Sequence, residues 1–491
     1  MKVISKISLA VGMALLGSFM LIGCGSSSDS SNAPSSSTLT GTAAVGNALS
    51  NVPVYLKDSS SPGKVVVAQT DAEGNFSFYT SNLTAPFYMR TQGYGLFSYS
   101  AAKTGVANIT PLTTAVVELA NGGDADIYTT PPLQLDVNSY STSLQTALAN
   151  VMTHNGVSGK NFITSSFVAN GTGIDAIIDT LYITVDGLSK SITITDPFTG
   201  STLGAGTFSS GSVSLSDSID ASEAGNLSTT VTSKKYFGTV QDNYGNPKDG
   251  PRMIDITDRG DGNLSVKVTA IYGDTGKLFL VYGHGTKNGS NVTLTLPLIM
   301  CQANTSDGNG TAVITATIGA DGTLTGTFTN TLSTGDKCNE NNSSIYKGDI
   351  NGQDVTNATP VTIAGNYGFY NRHGGESVED GPHPVTFTQS GSTLGVSTTI
   401  TDPTTQTRTG SGTVYGNYTV FTLPVIMCND TGINGVYPDA DYATFFGEYN
   451  ATSKTMSGIF GDGLPIGDTC QDKNNANAQI SATGTWSAVK Q

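Results

Sequence analysis

The chain has 491 residues, 59 of them glycine, only 12% charged, with a formal net charge of −15. That length is enough for about three domains. The acidic balance excludes nucleic acid and an anionic membrane surface as electrostatic partners, because both would repel it. Low charge and an abundance of Gly, Thr, Ser and Asn fit an exported protein.

Lys2 and Lys6 open the chain, an uncharged apolar run covers 7–22, and the run closes on Leu21-Ile22-Gly23-Cys24. A basic start, an apolar core and a small residue before a cut describe a secretory signal over 1–23. The run is short for a membrane span. Leu21-Ile22-Gly23-Cys24 resembles the lipobox of bacterial lipoproteins. The resemblance implies cleavage before Cys24 and lipidation of its thiol. Since Gly25 is not an aspartate, it also implies the outer membrane, with the protein facing the periplasm or the cell surface. Loss of the two lysines takes the net charge from −15 to −17. Residues 24–38 are mostly serine, a composition that buries no core and serves as a tether.

Residues 39–122 read as a β-module. Val52, Val54 and Leu56 alternate, Asp71-Ala72-Glu73-Gly74-Asn75 is a turn, and Phe76 and Phe78 follow at strand spacing. Gly41-Thr42-Ala43, Val52-Pro53-Val54, Thr70-Asp71 and Gly74-Asn75-Phe76-Ser77-Phe78 together resemble the carboxypeptidase regulatory-like domain. That resemblance implies a transthyretin-like β-sandwich acting as a spacer or binding scaffold, without catalytic residues. Residues 109–114 end this module and lead into a small helical or mixed region, 123–199. There Leu144, Ala147, Leu148, Val151 and Met152 share a helix face, with Ser143 as cap and Asn155-Gly156 as stop. Ile174, Ile177, Ile178 and Leu181 form a second stripe, and a hairpin turns at Asp186-Gly187. Residues 200–232, Gly/Ser-rich and poor in apolar residues, read as a linker or as poorly stabilised strands.

The C-terminal half is duplicated, with repeats over 233–352 and 362–491. Asp249-Gly250-Pro251 recurs as Asp380-Gly381-Pro382, and Leu296-Pro297-Leu298-Ile299-Met300-Cys301 as Leu423-Pro424-Val425-Ile426-Met427-Cys428. Gly335-Asp336-Lys337-Cys338 recurs as Gly467-Asp468-Thr469-Cys470, and Tyr236 matches Tyr367. Each copy is nearly all strand, and the first holds eight short runs separated by turns such as Asp261-Gly262-Asn263 and Asp321-Gly322. The expected fold is mainly β, with two antiparallel meanders closed into barrels or folded into sandwiches after the N-terminal sandwich. The closing Gly484-Thr485-Trp486 is only faintly lipocalin-like.

With Cys24 lipidated, four cysteines remain for an oxidising compartment. Each repeat carries one early and one late cysteine, so the expected bonds are Cys301–Cys338 and Cys428–Cys470. Each would contribute roughly 3–4 kcal/mol in the chain-entropy model. In a meander alternate loops share an end, which places Asp249, Asp336, Asp380 and Asp468 on stapled, acidic rims. These rims are candidate binding sites; plain turn chemistry accounts for the same residues.

Chemistry is otherwise sparse. No G-x-S-x-G, H-E-x-x-H, P-loop or haem motif occurs. His154, His284, His373 and His383 are scattered, and a metal site from His373, His383 and Glu376 would belong to one copy only. Asp258, Asp261 and Asn263 miss the EF-hand order. No catalytic residue, metal or cofactor is expected. The sequence thus suggests a non-enzymatic surface lipoprotein, an adhesion or scaffold component that binds the membrane by its lipid and an unknown surface protein, glycan or small ligand. The alternatives are a carrier with a small apolar ligand or glycan in barrels lined by Tyr272, Phe279, Tyr282, Tyr415, Tyr418 and Phe421, and a hydrolase using paired carboxylates.

Overall fold

The structure is a computed structural model. It describes residues 37–491 except 62, 93, 125–126, 129–130, 221–230, 243–248, 272–277, 298–310, 332–344, 375–378, 401–405, 425–441, 462–469, 473–474 and 481–482. Cys24 and the serine-rich 25–36 lie outside the described residues.

Two sheets form the N-terminal β-sandwich. One has the order β4 (Asn75–Tyr79), β1 (Thr38–Thr42), β7 (Gly105–Val106). The other runs β3 (Val65–Gln69), β2 (Pro53–Asp58), β5 (Phe87–Thr91), β6 (Phe97–Ser100). Alternation drives the packing: Phe76 and Phe78 of β4 turn inward beside Leu39 and join Val54, Leu56, Phe87 and Met89 in one buried core. Gly74 holds φ +81° in the turn before β4, and a side chain there would run into the Ala43 carbonyl.

The middle region begins earlier than the periodicity suggested. Thr110 caps helix α1 (Pro111–Ala120) through a reciprocal bond with Thr113, and Pro111 stands at its first position. Helix α2 (Val137–Ala147) is capped by Asp136, whose carboxylate accepts from the Ser139 amide at 3.2 Å. Ser143 is therefore not a cap. It lies inside α2 and accepts a hydrogen bond from the Val213 amide at 2.7 Å. Helices α3 (Ala149–His154) and α4 (Ile174–Thr180) complete the set. Of the two readings of 200–232, a linker or strands, the structure has strands in its first half: β10 (Thr202–Ser209) and β11 (Ser212–Leu215) extend the hairpin β8 (Tyr182–Asp186) and β9 (Ser191–Thr195) into a four-stranded sheet. Few apolar residues suffice: Phe208 and Val213 are buried in the core and Leu203 and Leu215 pack against it, while Gly206 lets β10 and β11 close up.

The C-terminal half is two closed barrels. Barrel 1 runs β12 (Thr232–Asp242), β13 (Asp249–Asp258), β14 (Asn263–Ile271), β15 (Leu278–Asn288), β16 (Asn291–Pro297), β17 (Thr311–Ile318), β18 (Thr323–Thr331) and β19 (Ile345–Asp354), closed by β12 against β19. Barrel 2 runs β20 (Gly365–His373), β21 (Asp380–Ser390), β22 (Thr393–Ile400), β23 (Gln406–Tyr415), β24 (Tyr418–Pro424), β25 (Tyr442–Asn450) and β26 (Thr455–Gly461). A hairpin, β27 (Cys470–Asp472) and β28 (Asn475–Ile480), precedes the closing strand β29 (Thr483–Lys490). Both copies carry an irregularity at the same place, between Gly238 and Val240 and between Phe369 and Asn371, opposite a cis Gly–Pro peptide. The internal repeat is thus a repeat of structure as well as of sequence.

The modules are welded. One continuous apolar core joins the sandwich and middle region to Phe237 and Met253 of barrel 1 and to Val420, Phe446 and Ile459 of barrel 2. Phe237 stacks on Tyr418 with centroids 5.0 Å apart. Tyr55 of the sandwich bonds Thr422 of barrel 2 at 3.0 Å, and Asn51 accepts from Thr413 through its carbonyl at 2.7 Å. No helix among the described residues is long and apolar enough to cross a membrane.

Candidate functional site: barrel rims, barrel interiors and a buried junction

Alternation along the strands puts every second side chain inside its barrel. In barrel 1 the interior holds Tyr236, Ile254, Ile256, Leu264, Val266, Leu294, Phe328 and Ile350. In barrel 2 it holds an aromatic stack: Phe421 lies on Phe445 at 4.9 Å, Phe369 on Trp486 at 5.4 Å, and Phe387 meets Phe421 edge-on at 5.3 Å. The described interiors are filled by side chains, as in small barrels generally. Of the aromatics expected to line a ligand cavity, Phe421 is part of that packing. Tyr282, Tyr415 and Tyr418 instead point out of their barrels, Tyr282 against Tyr182 at 4.2 Å and the other two against Phe237. Tyr272 lies outside the described residues, as does the side chain of Phe279.

In each barrel the short turns, such as 259–262 and 451–454, lie at one end. The longer connections, 298–310 and 332–344 in barrel 1 and 425–441 and 462–482 in barrel 2, leave from the other. Cys301, Cys338, Cys428, Asp336 and Asp468 fall in these connections and lie outside the described residues; Cys470 opens β27, with its side chain undescribed. Asp249 and Asp380, expected in the first loop, instead begin β13 and β21. The Gly–Pro step continues as strand because it sits at the irregularity, where the ladder has room for it. Asp380 holds His383 at 3.0 Å, and Arg252 stands at the equivalent position of barrel 1. Asp380 is thus engaged within its own strand.

The histidines do not converge. His373 is buried against Phe460 at 4.9 Å, while His383 is partly exposed beside Asp380. Glu376 lies outside the described residues. Among the described residues no three His, Cys, Asp or Glu side chains are grouped as metal ligands. The Asp258–Asn263 segment is a turn: Asp258 accepts from the Gly260 amide at 2.8 Å and pairs with Lys287 at 2.7 Å, and Arg259 pairs with Asp261 at 2.8 Å.

The sequence missed a buried polar cluster where the modules meet. Lys235 pairs with Asp255 at 2.7 Å and donates to the Tyr94 hydroxyl at 3.2 Å. Lys267 donates to the Val45 carbonyl, with Asp179, Asp255 and Asp175 around it. Asp175 is fully buried; its Oδ2 accepts from the Gly171 amide at 2.7 Å. Burial, reinforced by the charge of Asp179, pushes the Asp175 carboxyl up to about 7. Burial also raises Asp179 against the pull of Lys267, and lowers Lys267 despite its three carboxylates. Burial opposes the charge of Lys235, but Asp255 and the phenols of Tyr94 and Tyr415 hold it above its ordinary range.

No family model and no curated protein matches the chain. Among solved structures, transferrin binding protein B from serogroup B Neisseria meningitidis is similar over 53% of this chain and 77% of its own, at 10% identity and a TM-score of 0.18. A Bacteroides fragilis chain described provisionally as an outer membrane protein is similar over 53% of this chain and 96% of its own, at 11% identity and a TM-score of 0.16. Both scores are too low to carry an argument about function.

Proposed function

We propose that this chain is a non-enzymatic lipoprotein of the cell envelope, anchored through Cys24, which presents two plugged barrels on one rigid body and binds a partner at their loop-bearing ends. The observation that carries this reading is the combination of filled barrel interiors with a continuous core across all four modules. A carrier needs a cavity, and the packed aromatic stack of barrel 2 argues against one. A display protein needs rigid scaffolding beneath variable connections, which is where binding residues usually sit. The disulfides Cys301–Cys338 and Cys428–Cys470 would staple those connections. The outer membrane is the proposed location, on the strength of the Leu21–Cys24 motif and Gly25.

The test is metabolic labelling with an alkyne fatty acid in a Gram-negative host. Wild-type protein should take the label and sediment with membranes, and Cys24→Ala should lose both properties. Protein replaced over 298–310 and 425–441 by short Gly/Ser segments should remain folded and anchored but lose retention of a partner from the native envelope. Unlabelled wild-type protein would remove the anchor from this reading, and undiminished retention after loop replacement would remove the rims.

A further inference from the structure

We propose that the junction between helix α4 and barrel 1 is a proton-operated latch, closed while one proton is held by the Asp175–Asp179 pair and loosened when that proton passes to water. Three carboxyls, Asp175, Asp179 and Asp255, face two ammonium groups, Lys235 and Lys267. Asp255 and Lys235 neutralise each other at 2.7 Å. Lys267 is left facing two carboxyls one turn apart on α4, and it can balance one of them.

The geometry shows why the remaining charge is costly. Asp175 has no exposed surface, and its Oδ1 has no hydrogen-bond partner among the described residues. A buried, unpartnered carboxylate oxygen is strongly disfavoured, and a proton removes the penalty. The other groups facing the cluster are the Tyr94 and Tyr415 rings over Lys235, the Tyr282 phenol with an electrostatic link to Asp255, Tyr182 stacked on Tyr282, and the Val45 carbonyl at Lys267. All are neutral or electron-rich, so none supplies the missing positive charge.

The direction follows from linkage. A carboxyl held above its ordinary value in the folded state contributes fully below the ordinary carboxylate range, and that contribution is lost as pH rises through its folded value. For Asp175 that value is about 7. The latch is therefore tight in mild acid and loosens through neutrality into mild alkali. A protein at a cell envelope meets this range directly, although the latch itself does not depend on the lipid anchor.

Hydrogen–deuterium exchange of the full chain in detergent tests it. After correction for intrinsic rates, peptides covering 174–180 and 263–271 should exchange about tenfold faster at about pH 9 than at about pH 6, with barrel 2 peptides over 442–450 unchanged. Asp175→Asn keeps a neutral side chain at all pH values and should abolish the rise. Exchange independent of pH in the wild type, or an equal rise in Asp175→Asn, would overturn the latch. Infrared difference spectroscopy gives a second reading: burial also raises the Glu118 carboxyl, to about 8, so of the buried carboxylic acids that ionise across neutrality one should vanish in Asp175→Asn, and a spectrum unchanged by that substitution would overturn the latch.

Discussion

Tyr236 and Tyr367 occupy the same interior position of the two barrels, yet only Tyr367 has a partner for its hydroxyl. Tyr367 donates to the Ile363 carbonyl at 2.9 Å, whereas the Tyr236 hydroxyl is buried with no hydrogen-bond partner among the described residues. A buried hydroxyl without a partner is a net cost, and a satisfied one is a modest gain. Tyr367→Phe should therefore destabilise the protein by about 1 kcal/mol. Tyr236→Phe should be neutral or stabilising. Denaturant titration of both variants checks the contrast, and equal losses would contradict it.

Trp486 is the single tryptophan and reports on barrel 2 alone. Its indole N–H donates to the Phe446 carbonyl at 2.9 Å, and its ring fills the space above Gly447. A side chain at Gly447 would have to displace that ring. Gly447→Ala should cost roughly 1–3 kcal/mol, the usual range for overpacking a well-filled core. The emission of Trp486 should shift to the red at a lower denaturant concentration than in the wild type.

Asp58 ties the second strand of the sandwich to two turns. Its carboxylate accepts from the amides of Ser60 at 3.1 Å, Lys64 at 2.7 Å and Thr84 at 2.9 Å. Burial works against the charge, but these bonds together with that of the Ser60 hydroxyl hold its pKa below the ordinary value. A depressed carboxyl contributes stability that is present above the unfolded value and is lost as pH falls through the folded one. Asp58→Ala should thus cost roughly 2–4 kcal/mol at neutral pH, and the difference from wild type should shrink below about pH 4. Melting temperatures of both proteins across that range measure it.

How much was legible in the sequence depended on whether a residue's neighbours were close in the chain. The barrel strands were readable because alternation and turns such as Asp261-Gly262-Asn263 are local, and the repeat supplied them twice. Lys235 and Lys267 were not. Each stands at an outward position of its barrel, beside the inward Tyr236 and Val266, which by itself reads as solvent-facing. They are covered because the sandwich, α4 and barrel 2 close over them, and no local pattern records that. The same holds for Asp175 and Asp179, an ordinary polar pair beside the Ile174–Ile177–Ile178 stripe until Lys267 is placed against them. Strands β10 and β11 were obscured for the opposite reason: glycine, chosen there for close approach, also dominates linkers.

The Lys235–Asp255 pair offers the sharpest test of the welded junction. Its ammonium and carboxylate are 2.7 Å apart, between the rings of Tyr94 from the sandwich and Tyr415 from barrel 2. Removing one partner leaves the other buried and uncompensated, which typically costs about 3–5 kcal/mol. Asp255→Asn should therefore destabilise the whole body, whereas the double replacement Lys235→Met with Asp255→Leu removes both charges and should recover most of the loss. Because Lys235 bridges three modules, the single variant should also make the sandwich and barrel 1 unfold at separate temperatures where the wild type gives one transition. Calorimetry distinguishes the cases. A single, unshifted transition in Asp255→Asn would mean that the apolar core around Phe237 and Tyr418 holds the modules together without this ion pair.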